Sequence, residues 1–159
     1  MRTIFSAGKG LITAILLLLL ISCKKDQGGP LQPWYPETNE HGDPVSGVFE
    51  SRIPCEDCER LKFSLVIYEN AQTHLMSTYL MSRIYVGKSD ERITNTGNII
   101  ITTGTSLDSF HTIYRLTSGA PAEYQSFWKI DEHLLFILDE NLTPMVGDAG
   151  YGFVLNRVR

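Results

Sequence analysis

Two cysteines separated by two residues are the part of this sequence best suited to chemistry. Cys55 and Cys58 follow Pro54 in the run 47–68, which reads GVFESRIPCEDCERLKFSLVIY. A pair at this spacing can act as a redox centre, form a structural disulfide, or hold a metal ion that prefers sulfur ligands. Each of these uses predicts different surroundings for the two thiols.

Catalysis of thiol–disulfide exchange is disfavoured by the neighbouring residues. In thioredoxin-like centres the pair opens a helix, whose N-terminus lowers the pKa of the thiol. Here the residues after Cys58 enter the alternation of a β-strand, and the acids Glu56, Asp57 and Glu59 raise the pKa of a nearby thiol. Elsewhere no Ser-His-Asp order, phosphate loop or carboxylate pair stands out. We therefore predict that the protein is not an enzyme.

Zinc and copper(I) make different demands on the same pair. Structural zinc needs four ligands, but the histidines are scattered without ligand spacing. They are His41, His74, His111 and His133. Copper(I) accepts two thiolates, and a methionine thioether could add a ligand. The methionines in question are Met76, Met81 and Met145. A disulfide is the plainer alternative, and closing so short a loop contributes roughly 2 kcal/mol. A disulfide and a copper site are therefore both retained as alternatives for Cys55 and Cys58.

Residues 1–22 have the pattern of a cleaved signal peptide. Two basic residues precede the apolar run 11–21, and a run of about eleven residues is too short for a membrane-spanning helix, which needs about twenty. The run ends in Leu20-Ile21-Ser22-Cys23, which resembles the lipobox of bacterial lipoproteins. That resemblance implies cleavage before Cys23, a diacylglyceryl group on its thiol and a third acyl chain on its amine. Lys24 in the next position implies the outer membrane, by the sorting rule of bacterial lipoproteins. This rule does not decide between the periplasmic and the external face.

Residues 23–46 are predicted to form the lipidated N-terminus and a flexible Pro/Gly-rich tether. They contain prolines and glycines without a hydrophobic period. Three acyl chains would hold the protein on a membrane without spanning it. Lipidation of Cys23 would leave two cysteines, which face an oxidising compartment.

Residues 47–159 are predicted to form one all-β domain, a small antiparallel up-and-down barrel. Leu61, Phe63, Leu65 and Ile67 alternate with smaller or polar residues, which places them on one face of a strand. The predicted strands after the cysteines are 61–67, 73–80, 83–87, 98–103, 110–117, 124–131, 133–139 and 151–158. Turn signals such as Thr96-Gly97-Asn98 separate them. A barrel of this size is filled by side chains or holds one small ligand.

The charge of the chain argues against nucleic acid as a partner. The sequence has 14 basic and 18 acidic residues and a formal net charge of −4. Phosphate neutralisation requires clustered lysine and arginine, and the chain shows no basic stripe.

The opening of the domain carries a specific resemblance. Its motif is Pro54-Cys55-Glu56-Asp57-Cys58, followed by the alternating strand, and segments at 78–79, 134–139 and 151–157 agree with the same pattern. These residues resemble the NlpE family of copper-resistance envelope lipoproteins, whose pattern is Gly-x-Tyr-x-Gly-x-Leu-Pro-Cys-Ala-Asp-Cys-x-Gly-Ile. The chain departs from that pattern at Phe49, where the family has tyrosine, and at Ser51 and Arg60, where glycines are usual.

The resemblance implies a lipocalin-like barrel linked to copper tolerance and to the sensing of envelope or surface stress through a signalling partner. Cys55 and Cys58 would then be either disulfide-bonded or a copper site. Family members often carry a second, C-terminal domain that takes part in signalling, so activities that need it are not transferred. Two alternatives remain: a lipocalin-like carrier of a small apolar ligand, with an internal cavity of several hundred Å³, and a module that binds protein through an exposed edge strand.

Overall fold

The computed structural model of the protein describes residues 33–105, 108–147 and 152–159. The predicted signal peptide, the lipidation site Cys23 and the first part of the predicted tether lie outside these residues. No helix among the described residues has the length and apolar character needed to cross a membrane. The chain from Tyr35 to Arg159 forms one compact unit.

Eight antiparallel strands form a closed barrel, in which each strand pairs with its neighbours along the chain. The strands are β1 (Val45–Ile53), β2 (Arg60–Glu69), β3 (Met76–Val86), β4 (Arg92–Thr103), β5 (Thr112–Leu116), β6 (Ser126–Lys129), β7 (Leu134–Leu138) and β8 (Val154–Arg157). A 3-10 turn at Ala122–Tyr124 precedes β6. Pairing of β8 with β1 closes the barrel. The predicted all-β, up-and-down barrel is confirmed.

The up-and-down order gives the barrel two ends with different connections. The end called here the cysteine end carries the connections β1–β2, β3–β4, β5–β6 and β7–β8, whose described residues are 54–59, 87–91, 117–125, 139–147 and 152–153. The opposite end carries residues 70–75, 104–105, 108–111 and 130–133. It also holds the segment before β1 and the segment after β8, so we call it the terminal end.

Side chains fill the barrel interior. The alternation predicted for β2 is confirmed, because Leu61, Phe63, Leu65 and Ile67 are all buried in the core cluster. In the described part of the chain, seven interior side chains are 0% exposed, namely Phe63, Leu65, Met81, Phe127, Leu135, Ile137 and Leu155. A side chain without accessible surface has no water-sized space beside it, so these residues pack directly against one another. The cavity of about 20 Å³ beside Phe49 and Tyr114, at the terminal end, is too small for an organic ligand.

The sequence predictions placed two strand boundaries incorrectly. The predicted strands 73–80 and 83–87 are one continuous strand, β3, which pairs with β2 along most of its length. The predicted turn Thr96-Gly97-Asn98 lies inside β4, where Gly97 pairs with Tyr79. A Cβ atom on Gly97 would lie 2.2 Å from the carbonyl oxygen of Ser118. The glycine therefore allows the β5–β6 connection to approach β4 closely, rather than turning the chain.

The barrel unit begins earlier than the predicted start at residue 47. Thr38 forms a bridge with Pro44, and the hydroxyl of Tyr68 donates a 3.1 Å hydrogen bond to the carbonyl of Pro36. Asp43 is buried and accepts hydrogen bonds from the amide groups of Asn39 and Asn70. The prolines and glycines that indicated a tether in residues 35–46 therefore mark tight turns against the barrel.

Replacing Gly97 by alanine is expected to destabilise the barrel by about 2 kcal/mol, because the new methyl group must displace the backbone at Ser118. Urea unfolding followed by circular dichroism measures the loss. Thr94→Ala, at an exposed position of the same strand, serves as the control and should change stability by less than about 0.5 kcal/mol. A Gly97→Ala protein as stable as the control would contradict the close approach.

Candidate functional site

Cys55 and Cys58 form a disulfide in the β1–β2 connection, with an S–S distance of 2.01 Å and a Cα–Cα distance of 5.4 Å. The base of this connection is held by the pairing of Ile53 with Leu61, whose side chains are both buried in the core. Cys55 packs against the same core, whereas the residues between the two cysteines are exposed. The disulfide therefore lies at the rim, with one side on the core and the other towards solvent.

An ion pair links the cysteine turn to the neighbouring β3–β4 connection. Nζ of Lys88 donates a hydrogen bond to the carboxylate of Asp57. This hydrogen bond lowers the pKa of Asp57 below its usual range and raises the pKa of Lys88. Nζ of Lys88 also lies 6.0 Å from the ring centroid of Tyr85. One of the acids predicted to dominate the turn is thus neutralised by a residue that is distant in the sequence.

The backbone strengthens this link between the two connections. The amide of Glu59 donates a 3.0 Å hydrogen bond to the carbonyl of Val86. Gly87 has a φ of +81°, and a Cβ atom on it would lie 3.0 Å from Cγ of Glu59. Glycine adopts this backbone conformation at little cost and leaves room for Glu59. The β3–β4 connection therefore supports the cysteine turn from one side.

A buried arginine lies inside the barrel towards the same end, and the sequence predictions missed it. Arg83 is 8% exposed; its Nη1 donates to the hydroxyl of Tyr85 at 3.2 Å and its Nη2 to Oδ1 of Asn95 at 3.0 Å. The guanidinium lies 5.8 Å from the ring centroid of Tyr124, and burial raises the pKa of that tyrosine to about 12. The signal was its place in the inward series 79, 81, 83 and 85, which the predicted break in β3 concealed.

The methionines weighed as copper ligands lie in three different places. Met81 is buried in the core. Met76 pairs with Glu69, whereas Arg60 beside the cysteine turn pairs with Val86. These two pairs are ten residues apart on β3, or about 33 Å along the strand, so Met76 cannot reach the cysteines. Met145 is half-buried in the β7–β8 connection, at the cysteine end.

The histidines all lie at the terminal end. His41 precedes β1, and the other three lie in the connections there, at His74, His111 and His133. The fold thus places every histidine at the end opposite Cys55 and Cys58. Among the described residues, no group of three or more histidines, cysteines and acids is arranged to hold a metal ion.

The chemistry of the donors limits how copper could bind at the cysteine turn. Sulfur atoms joined in a disulfide carry no thiolate, so copper(I) could use Cys55 and Cys58 only after reduction. The carboxylate of Asp57 is a hard ligand and is occupied by Lys88. A reduced pair, with Met145 as the one described thioether at this end, is the ligand set that the residues allow.

A groove of about 330 Å³ lies outside the barrel. It runs between residues 36–40 and the strands β2, β3 and β4, and it is lined by Pro36, Asn39, Tyr68, Thr78, Leu80 and Asn98, among others. This groove is open to solvent and distinct from the packed interior. The groove is therefore not the internal cavity that a lipocalin-like carrier requires.

Residues 49–148 match the family model of the NlpE N-terminal domain. The chain belongs to this family. The resemblance inferred from the cysteine motif is thus confirmed, and the matched residues include both cysteines and all strands from β2 to β7. No curated protein is significantly similar in sequence to this NlpE-domain chain.

A solved structure shows a distant likeness. It is a crystal structure of a protein from Shewanella oneidensis that is assigned as a lipoprotein. The two chains are 18% identical, with a TM-score of 0.48, over 78% of this chain and 98% of the other. A likeness at this level says nothing about function.

Removal of the disulfide is expected to lower the free energy of unfolding by about 2 kcal/mol, because the unfolded chain regains the entropy of a short loop. The test is urea unfolding of a Cys55→Ser, Cys58→Ser double variant. Asp57→Asn, which breaks only an exposed ion pair in the same turn, is the matched control and should have a small effect. Equal stability of the double variant and the wild type would show that the disulfide does not stabilise the fold.

Proposed function

We propose that this NlpE-domain protein is a lipoprotein of the bacterial outer membrane, anchored through Cys23, that takes part in copper tolerance and in sensing envelope or surface stress. It acts without catalysing a reaction. The observation that supports this best is the family match, which includes a cysteine pair at the exposed rim of the barrel. The lipobox at Leu20-Ile21-Ser22-Cys23 supplies the anchor.

The cysteine turn supports a sensing role better than a catalytic one. The disulfide lies on a rim beside a packed core, without a described cleft that could hold a substrate next to it. Both cysteines are nevertheless only half-buried, and the two residues between them are exposed. An envelope dithiol can reduce the disulfide by transferring two electrons and two protons, which produces two thiols and an oxidised reductant. The two thiols can then release their protons and bind a soft cation such as copper(I).

A protein-binding role is a second candidate, and one feature of β4 favours it. β4 pairs with β3 only as far as Asn98, although the strand continues to Thr103. In the described part of the chain, no strand pairs with the β3-facing edge of residues 99–103. Ile100 and Ile101 in this segment are exposed. An extended segment of a signalling partner could add to such an edge by backbone hydrogen bonds.

Lipidation predicts that cells fed an alkyne fatty acid will label the wild-type protein but not Cys23→Ser. The Cys55→Ser, Cys58→Ser double variant is the control for general thiol acylation and should label normally. Membrane fractionation then tests location: the wild type should sediment with the outer membrane, and Lys24→Asp should shift it to the inner membrane. Undiminished labelling of Cys23→Ser would refute the anchor.

Copper(I) binding predicts that reduced protein will take the ion from a chromophoric chelator, whereas the Cys55→Ser, Cys58→Ser double variant will not. Oxidised wild type should also fail, because the disulfide has no thiolates. Met145→Leu is expected to weaken binding if the thioether contributes, and Met76→Leu, at the other end of the barrel, is its matched control. Equal copper(I) affinity in the double variant and the wild type would exclude the cysteines as the site.

A further inference from the structure

The exposed apolar side chains of the barrel are concentrated at the terminal end. Among the described residues, eight large apolar side chains are exposed, and six of them lie on connections, chain segments or strand portions at this end. They are Leu75, Ile100, Ile101, Phe110, Ile130 and Val158. The other two are Ile93, near the cysteine end of β4, and Val146, in the β7–β8 connection. Single exposed apolar residues are ordinary, but this concentration at one end marks a contact surface.

Each connection at the terminal end contributes one of these side chains. Leu75, which is 64% exposed, belongs to the β2–β3 connection, and Phe110, which is 87% exposed, belongs to the β4–β5 connection. Ile130 begins the β6–β7 connection, and Val158 follows β8. The apolar side chains are therefore distributed around the rim rather than gathered in one pocket. An extended apolar surface can contact such a ring at several points at once.

The charged groups near this rim are largely paired with one another. Both carboxylate oxygens of Glu37 accept hydrogen bonds from Arg159, and Oε1 of Glu132 lies 2.5 Å from Nζ of Lys129. Glu69 lies 2.9 Å from His74. These hydrogen bonds lower the pKa of all three carboxyl groups. Moving a paired carboxylate to the edge of a lipid layer, where water is scarce, costs less desolvation free energy than moving a free one.

The position of the predicted anchor at Cys23 favours a lipid surface as the partner of the terminal end. The barrel unit begins at Tyr35, twelve residues after Cys23, and the neighbouring Pro36 accepts a hydrogen bond from Tyr68, near the terminal end of β2. A coil of twelve residues has an end-to-end distance of about 20 Å. β4 has twelve residues, and a strand of that length tilted by 35–45° gives the barrel a height of about 30 Å. Because the coil is shorter than the barrel, an anchor at Cys23 favours the orientation in which the terminal end is nearer the membrane and the cysteine end faces away.

We propose that the terminal end is a lipid-contacting face, whose rim side chains Leu75, Phe110, Ile130 and Val158 enter the interfacial region of the membrane. This proposal rests on the proposed anchoring at Cys23. It deepens that proposal by giving the barrel an orientation, with the disulfide of Cys55 and Cys58 directed away from the lipid.

The test attaches the chain to vesicles by a route that does not need lipidation. The chain from residue 23 onward, with Cys23→Ser and an N-terminal hexahistidine, is captured on phosphatidylethanolamine and phosphatidylglycerol vesicles that contain a nickel-chelating lipid. A fluorescent probe is placed at Phe110→Cys, at the terminal end, or at Ser89→Cys, at the cysteine end. The oxidised parent without an added cysteine controls for labelling of the native pair.

The probe at position 110 is expected to shift to the blue and to be quenched several-fold by spin-labelled lipid, whereas the probe at position 89 should remain unaffected. Adding Leu75→Ser and Val158→Ser should reduce the quenching at position 110 about tenfold, because two apolar contacts are lost. Val146→Ser is the matched control, since Val146 is 88% exposed and lies outside the rim. Near-UV circular dichroism confirms that each variant is folded.

Three results would overturn the proposal. The first is an absence of quenching at position 110, and the second is equal quenching at positions 110 and 89. The third is a blue shift that depends on protein density without lipid quenching, which would show that a second copy covers the rim. Because the vesicle capture bypasses acylation, failure of the fatty-acid labelling at Cys23 and failure of rim insertion are separate outcomes.

Discussion

The short pairing between β1 and β8 closes the barrel, and the arrangement of all potential functional groups depends on it. Phe49 pairs with Arg157 and Glu50 with Asn156. Arg157 reinforces the junction, because its Nη2 donates a 2.6 Å hydrogen bond to the carbonyl of Ser46. Closure of an up-and-down sheet sends alternate connections to opposite ends. The cysteines and the histidines are consequently separated by the height of the barrel, and no rearrangement of loops alone can bring them together.

The packed interior determines which kinds of function the fold can support. An eight-stranded barrel is at the size where side chains either fill the interior or leave space for one ligand. Large side chains such as Phe63, Tyr79 and Phe127 fill it here. Such packing favours recognition at the surface, at the rims, or at the incompletely paired edge of β4. The cysteine turn is one such rim site, since it rests on the core on one side and meets solvent on the other.

Local patterns predicted those parts of the structure that depend on neighbours in the sequence. The alternation of Leu61, Phe63, Leu65 and Ile67 depends only on the pleat of one strand, so β2 could be predicted closely. Arg83 interrupted the same kind of pattern in β3, because a charged residue is not expected among inward-facing positions. Its hydrogen-bond partner Asn95 can be identified only once β3 and β4 are paired. The turn predicted at Gly97 is wrong for a similar reason, since the atom that excludes a side chain there belongs to Ser118.

The candidate site shows the same division between local and distant information. The motif Pro54-Cys55-Glu56-Asp57-Cys58 was sufficient to indicate the family and to name the two sulfurs. Its electrostatics could not be predicted, because Asp57 is neutralised by Lys88, which is 31 residues away in the sequence. Residues 35–46 were assigned to the tether for the same reason, because prolines and glycines occur both in tethers and in tight turns. Contacts with Tyr68 and Arg159 decide between the two.

A rigid barrel with its two rims so far apart constrains how any change at the disulfide could be detected. The core residues beneath the turn are close-packed, and close-packed interiors resist continuous deformation. Opening of the disulfide would therefore alter mainly the β1–β2 turn and its contacts with Lys88 and Glu59, rather than the shape of the opposite rim. We expect a partner that responds to the cysteines to contact the cysteine end itself. The barrel would then serve to hold that end about 30 Å from whatever surface the terminal end meets.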